Sequence, residues 1–155
     1  MRDGLIKYDK RKGWRGALTN KSYNSNWLTG LQQYNLEKSI NWKISIVKKV
    51  NKFSAEIQTE DNIEGVIEYK DVTWTKKEFD DLLNPGDIIY VENIKDNKFS
   101  LKQIPKINGG IVVMDPYTGR VLALSGGFSF KNSEFNRATQ ALRQPGSALK
   151  PFIYA

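Results

Sequence analysis

The sequence contains neither cysteine nor histidine in its 155 residues. Without cysteine there are no disulfide bonds and no thiol catalysis, and the commonest ligands of transition metals are missing. Without histidine there is no catalytic triad of the serine–histidine–aspartate type. We therefore expect no metal site and no cofactor in this chain.

Long apolar runs are also missing. No stretch approaches the ~18 apolar residues that identify a membrane-spanning helix. The first residues lead into a basic stretch and not into the apolar core of a signal peptide. If the parent protein is anchored in a membrane, we expect the anchor to lie outside this chain. Hydrophobic residues make up 39% and charged residues 26%, a balance typical of a soluble globular protein.

The net charge of +7 is unevenly distributed along the chain. Residues 1–52 carry 12 Lys or Arg and only 3 Asp or Glu, whereas residues 42–107 carry 11 against 12. A protein that binds nucleic acid through a basic surface is expected to concentrate positive charge along its binding face. The central part of this chain shows no such excess.

The region from Trp42 to Gln103 alternates apolar and polar residues in short stretches, a pattern that predicts half-buried strands. A helix is predicted from about Trp27, and a second one inside 71–83 with Thr75 as its cap and Glu78 three residues later. Strands separated by turns, with one helix between the third and fourth, favour a small closed barrel of the OB type; another small barrel or a sandwich stays open. The predicted strands are 42–50, 53–57, 65–69, 88–92 and 99–103.

A different unit begins after Pro105. Residues 110–127 predict a hairpin, with Asp115-Pro116-Tyr117-Thr118-Gly119 at the turn and glycine pairs at both ends. A helix is predicted to begin at Ser147 or just before it.

The pattern Ser-x-x-Lys occurs twice, at Ser45–Lys48 and at Ser147–Lys150. A serine nucleophile needs a base that removes its proton. Residues i and i+3 share one face of a helix but point to opposite faces of a strand. The pair in the predicted strand should therefore point apart, and the pair in the predicted helix should converge. Lys150 acts as a base only if burial beside Leu149, Phe152 and Ile153, or beside other groups, lowers its pKa.

The bare pattern is weak evidence, because about one chance match is expected in a chain of this length. Taken alone, it favours a Ser147 that caps a helix and a solvated Lys150. The surrounding residues change this interpretation. The string Arg143-Gln144-Pro145-Gly146-Ser147-Ala148-Leu149-Lys150-Pro151-Phe152 closely resembles the active-site segment of bacterial penicillin-binding transpeptidases.

Two further segments resemble the same family. The hairpin 110–127 resembles the opening hairpin of the transpeptidase domain, and Tyr8-Asp9-x-Arg11-x-Gly13-Trp14-Arg15-Gly16 resembles a connector in the 1A group of class A penicillin-binding proteins. The resemblance implies a mainly β chain with some α: a connector at 1–16, a five-stranded OB-like insert at 17–107, and the start of a penicillin-binding transpeptidase domain at 108–155.

The resemblance also implies a function for the parent protein. Ser147 would be the acylated nucleophile that attacks the D-Ala-D-Ala bond of peptidoglycan stem peptides and is acylated by β-lactams, and Lys150 would be its base or would tune its environment. The parent would be a bacterial inner-membrane enzyme on the periplasmic side, with a glycosyltransferase domain elsewhere. The family's S-x-N and K-T-G elements follow the serine and do not occur after Ser147 in this chain, so we expect the chain itself to be inactive.

Two alternatives give the barrel a binding role. The first is a surface for protein regulators of wall synthesis, which is compatible with the enzyme interpretation. The second is a site for single-stranded nucleic acid, which OB barrels bind through basic grooves lined with aromatic residues. No nucleic acid is expected here, because the net charge of residues 42–107 is −1.

Overall fold

The computed structural model describes residues 1–131, 133–142 and 144–154. The chain forms two compact units, of which the first comprises residues 2–107 and the second begins at residue 108. Within the described ranges, no helix is both long and apolar enough to cross a membrane.

The first unit is built on a closed β-barrel. Its elements are helix α1 (Arg2–Lys10) and strands β1 (Thr19–Asn20), β2 (Lys43–Asn51), β3 (Ser54–Thr59), β4 (Glu64–Glu68), β5 (Asp87–Lys95) and β6 (Lys98–Lys102). Five strands follow one another around the barrel in the order β2, β3, β4, β6, β5, and β5 pairs with β2 to close the ring. All pairs are antiparallel except β4 with β6, and this topology confirms the predicted OB-like barrel.

The barrel interior is filled by alternate residues of its strands. Ala55 and Ile57 of β3 are fully buried in this core, and Glu56 between them is exposed. This is the period of two that an amphipathic strand requires. Residues of the connection between β4 and β5 complete the core, namely Val72, Phe79, Leu82 and Leu83.

Strands β2 and β5 are buried on both faces, whereas the sequence predicts them as half-buried. Ile44 and Ile46 of β2 lie opposite Tyr90 and Ile88 of β5, and all four are buried although they do not belong to the interior cluster. The connection between β1 and β2 contributes further buried side chains, and the Tyr90 hydroxyl donates a hydrogen bond to the Tyr34 carbonyl at 2.6 Å. This connection therefore covers the outer face of the barrel at β2 and β5.

The predicted helix from Trp27 is wrong. Residues 25–30 form turns, followed by a short 3-10 segment at Gln32–Tyr34. Gly30 has a φ of +79°, a left-handed conformation that interrupts a right-handed helix. Trp27 and Leu31 are nonetheless buried, so the apolar spacing reflects burial of a turn and not helical periodicity.

The predicted helix inside 71–83 is also wrong. This connection contains three separate 3-10 segments, Tyr69–Asp71, Thr73–Thr75 and Phe79–Asp81. Lys76 adopts the left-handed conformation at a φ of 62°, which ends the second segment. Thr75 makes no side-chain capping bond, so the capping box that its spacing predicts does not form.

The second unit contains a two-stranded hairpin and a short C-terminal helix. Strands β7 (Ile111–Met114) and β8 (Val121–Ser125) pair antiparallel, as the sequence predicts. A 3-10 segment at Gly146–Leu149 continues directly into α2 (Lys150–Tyr154). Both strands are apolar, and their large side chains are exposed.

Candidate active site

Ser147 lies in a helical segment that begins at Gly146. The backbone of Gly146 has a φ of +54°, a conformation that favours glycine. Ala148 N then donates to the Pro145 carbonyl at 3.1 Å, and Lys150 N donates to the Ser147 carbonyl. Ser147 and Lys150 are therefore one 3-10 turn apart, and residues i and i+3 of such a turn lie on the same side.

The surroundings of these two residues are open. Both side chains are exposed, and neither forms a hydrogen bond or ion pair with another residue of the described ranges. Leu149, Phe152 and Ile153 are 46%, 83% and 66% exposed. They therefore give Lys150 little apolar cover. Arg143, the first residue of the family string, lies outside the described residues.

The turn of the hairpin is held by Asp115. Its carboxylate accepts hydrogen bonds from Tyr117 N and from the Thr118 hydroxyl, both at 2.8 Å. These donors hold the pKa of Asp115 below its usual range, the Tyr117 backbone amide having the largest effect. The Asp-Pro-x-Thr-Gly string thus has a structural explanation as a side-chain-stabilised turn.

A glycine at the end of the hairpin permits a close approach of the chain that follows. A Cβ at Gly126 would overlap the Asn136 side chain, and Arg137 N donates to the Gly126 carbonyl at 3.0 Å. Asn108, at the start of the unit, accepts a hydrogen bond from Phe128 N at 2.7 Å. Of the glycine pair at 126–127, Gly126 is therefore required by packing.

The other Ser-x-x-Lys pair, Ser45 and Lys48, does not form a nucleophilic site. Ser45 is fully buried in β2, and its hydroxyl has no hydrogen-bond partner among the described residues. Lys48 Nζ lies 2.6 Å from the Glu64 carboxylate, whose hydrogen bond is the main cause of a raised Lys48 pKa. A buried serine and a stabilised ammonium offer neither an accessible nucleophile nor a base.

The barrel has a charged groove of about 440 Å³ on β3, β4 and the turn between β5 and β6. Its charged lining residues are four carboxylates and two lysines, namely Glu56, Glu64, Glu68, Asp96, Lys48 and Lys98. Hydrogen bonds from Lys70 and Lys98 lower the pKa of Glu68 to about 2, so this carboxylate is ionised at neutral pH. The groove lacks the excess of positive charge that single-stranded nucleic acid requires, which disfavours that alternative.

One buried carboxylate was not anticipated from the sequence. Asp9 of α1 is 2% exposed and forms an ion pair with Arg15 Nη1 at 2.7 Å. The Tyr8–Gly16 string contains both residues, and its charge and glycine content are typical of a solvated connector. The only signal in that string is one carboxylate among two arginines and two lysines, and this signal does not predict burial.

Comparisons with known proteins agree with this arrangement. Residues 14–107 match the family model described as penicillin-binding protein OB-like domain, and residues 109–155 match the penicillin binding protein transpeptidase domain. The chain is 40% identical to penicillin-binding protein 1A of Rickettsia bellii and 35% identical to that of Pseudomonas aeruginosa. These alignments cover 99% and 100% of this chain but 20% of each relative, so the chain spans about a fifth of their length.

A solved structure is similar as well. The crystal structure of penicillin-binding protein 1A from Haemophilus influenzae matches with a TM-score of 0.81 and 31% sequence identity. The match covers 99% of this chain and 23% of that structure.

Proposed function

The chain belongs to the class A penicillin-binding proteins of type 1A, with an OB-like domain followed by the start of a transpeptidase domain, and on this premise we propose a function for the whole protein. We propose that it cross-links peptidoglycan stem peptides through an acyl-enzyme on Ser147. The observation that carries the proposal is the helical turn at 146–150, which spaces Ser147 and Lys150 for one site within the segment matched by the transpeptidase family.

The chemistry of the proposal is serine acyl transfer. The Ser147 hydroxyl attacks the carbonyl carbon of the D-Ala-D-Ala amide, and Lys150 accepts the hydroxyl proton or tunes its environment. The terminal D-alanine leaves as an amine, which takes up a proton. The resulting ester is then attacked by an amine of a neighbouring strand, which releases Ser147. A β-lactam acylates the same hydroxyl as its ring amide opens.

The remaining assignments concern the whole protein. We place the connector at 1–16, the OB-like insert at 17–107 and the transpeptidase part from 108. We further assign to the protein a glycosyltransferase domain, an anchor in the bacterial inner membrane and a periplasmic location. The OB-like barrel is assigned to a protein regulator of wall synthesis, because its charged groove does not suit nucleic acid.

Intact-mass spectrometry after incubation with a β-lactam tests the nucleophile. The samples are the 155-residue chain, a protein extended through a complete transpeptidase domain, and the extended Ser147→Ala variant. We expect one covalent adduct on the extended protein and none on the variant, because the acyl group is attached to Ser147. The 155-residue chain should remain unlabelled, because its Ser147 and Lys150 are exposed and lack an enclosing site. A folded extended protein that gains no mass, or a Ser147→Ala variant that still does, would contradict the proposal.

A further inference from the structure

The carboxylate of Asp9 joins three parts of the first unit. Its Oδ2 accepts hydrogen bonds from Arg15 Nη1 at 2.7 Å and from Gln103 Nε2 at 2.9 Å. Its Oδ1 accepts one from Lys106 N at 3.1 Å. We call Asp9, Arg15, Gln103 and Lys106 the Asp9 cluster. Asp9 belongs to α1, and Gln103 and Lys106 follow β6, the last strand of the barrel.

Additional hydrogen bonds join the same segments. Gln103 Nε2 also donates to the Gly13 carbonyl at 3.0 Å, and its Oε1 accepts from Arg15 N at 3.3 Å. Arg15 Nη2 donates to the Ile104 carbonyl at 2.6 Å. The chain that leads into the barrel and the chain that leaves it are therefore hydrogen-bonded to each other at one place.

The burial of Asp9 distinguishes it from the other ion-paired carboxylates. Asp9 has a side-chain exposure of 3%, whereas the carboxylates of the other pairs range from 29% to 77%. A buried charge is strongly unfavourable unless several hydrogen bonds satisfy it, and removing one partner of such a group is costly. The three donors of the Asp9 cluster supply that compensation.

We propose that Asp9 is a positioning residue that holds α1 and residues 103–106 together as one element. A displacement of α1 then reaches residues 103–106, and the chain that continues from them, through the hydrogen bonds of the Asp9 cluster. The functional part of this inference rests on the proposed transpeptidase activity, and its structural part does not. It also assigns a purpose to the Tyr8–Gly16 string, which the acyl-transfer chemistry does not use.

Hydrogen exchange measured on the 155-residue chain tests the structural part. Asp9→Asn should speed exchange of the Lys106 amide by about tenfold or more, because the charge-assisted hydrogen bond is lost. Asp3→Asn is the matched control, since it removes the same charge from an exposed position of the same helix. Arg15→Gln is a second variant, outside the barrel core, and it should also speed exchange of the Lys106 amide. Equal exchange in Asp9→Asn, Asp3→Asn and the parent chain would overturn the inference.

A distance measurement tests whether the two segments form one element. Because the chain has no cysteine, Lys7→Cys and Lys106→Cys place spin labels only at exposed positions of α1 and the outgoing segment. We expect a narrow distance distribution that broadens with Asp9→Asn and stays narrow with Asp3→Asn, while near-ultraviolet circular dichroism shows an intact barrel. A distribution that is already broad before substitution, or unaffected by Asp9→Asn, would refute a single element.

Acylation kinetics in the extended protein test the functional part. Asp9→Asn should slow β-lactam acylation by about tenfold, because small displacements of remote supports reduce reactivity strongly. Asp3→Asn should leave the rate unchanged. An unchanged rate in Asp9→Asn would refute the positioning role. If the extended parent protein is not acylated at all, the proposed function fails, and the exchange and distance results still decide the structural inference.

Discussion

Closure of the barrel depends on the absence of a side chain at Gly65, which lies in β4 beside β6. A Cβ at this position would overlap the Phe99 ring and lie 2.6 Å from the Asn97 carbonyl oxygen, whereas favourable carbon contacts begin at about 3.5 Å. The ring is 1% exposed and belongs to the barrel core. Overpacking of this kind costs about 1–3 kcal/mol, occasionally more. Because a core ring and a backbone carbonyl are affected together, we expect Gly65→Ala to lower the free energy of unfolding by about 3 kcal/mol.

The assay is urea denaturation followed by tryptophan fluorescence, with thermal unfolding beside it. A loss of this size corresponds to a fall in Tm of more than about 10 °C for a unit of this length. Gly4→Ala is the control, since nothing lies within 4 Å of its Cβ and alanine favours the helix by about 0.5–1 kcal/mol. In a Phe99→Leu background, Gly65→Ala should lower the free energy of unfolding by a smaller amount, because the smaller side chain relieves the overlap. A Gly65→Ala variant within about 0.5 kcal/mol of the parent chain would refute this account of closure.

Two further predictions concern β2 and the charged groove. Ser45→Ala should raise the free energy of unfolding by up to about 1 kcal/mol, because it removes a buried hydroxyl that has no hydrogen-bond partner among the described residues. The same substitution should leave β-lactam acylation of the extended protein unchanged. A loss of labelling would contradict the assignment of the nucleophile. Lys70 and Lys98 lower the pKa of Glu68 from 4.5 to about 2, so its stabilising effect is present above pH 4.5 and disappears as the pH falls through 2. Glu68→Gln should therefore weaken the pH dependence of the free energy of unfolding in this window, measured by urea denaturation at low salt. The same pH dependence in the variant and the parent chain would contradict this prediction.

The barrel strands were predictable because their pattern is local. In β3 and β6, alternate residues face the core, and turn residues such as those at 96–97 mark the ends. The burial of both faces of β2 was not predictable, because the outer cover comes from a connection whose apolar residues resemble a helix. The actual conformation there depends on the left-handed φ of Gly30, which a glycine permits but does not require.

The candidate site was likewise predictable only in part. The spacing of Ser147 and Lys150 predicts a shared helical turn, and the structure contains that turn. Lys150 is exposed in the structure, and the burial that its role as a base requires depends on long-range contacts that no periodicity encodes. The Asp9 cluster was missed for the same physical reason, since Gln103 and Lys106 are separated from Asp9 by the whole barrel in sequence.

The Asp9 cluster also determines how the first unit responds to tension along the chain. A pulling force that enters through α1 and leaves after residue 106 acts first on the hydrogen bonds of Asp9, because these connect the two segments by the shortest route. The ladder hydrogen bonds of the barrel lie on the longer route along the chain. We therefore expect the barrel strands to remain folded under tension that these hydrogen bonds withstand, and to be loaded once the hydrogen bonds break.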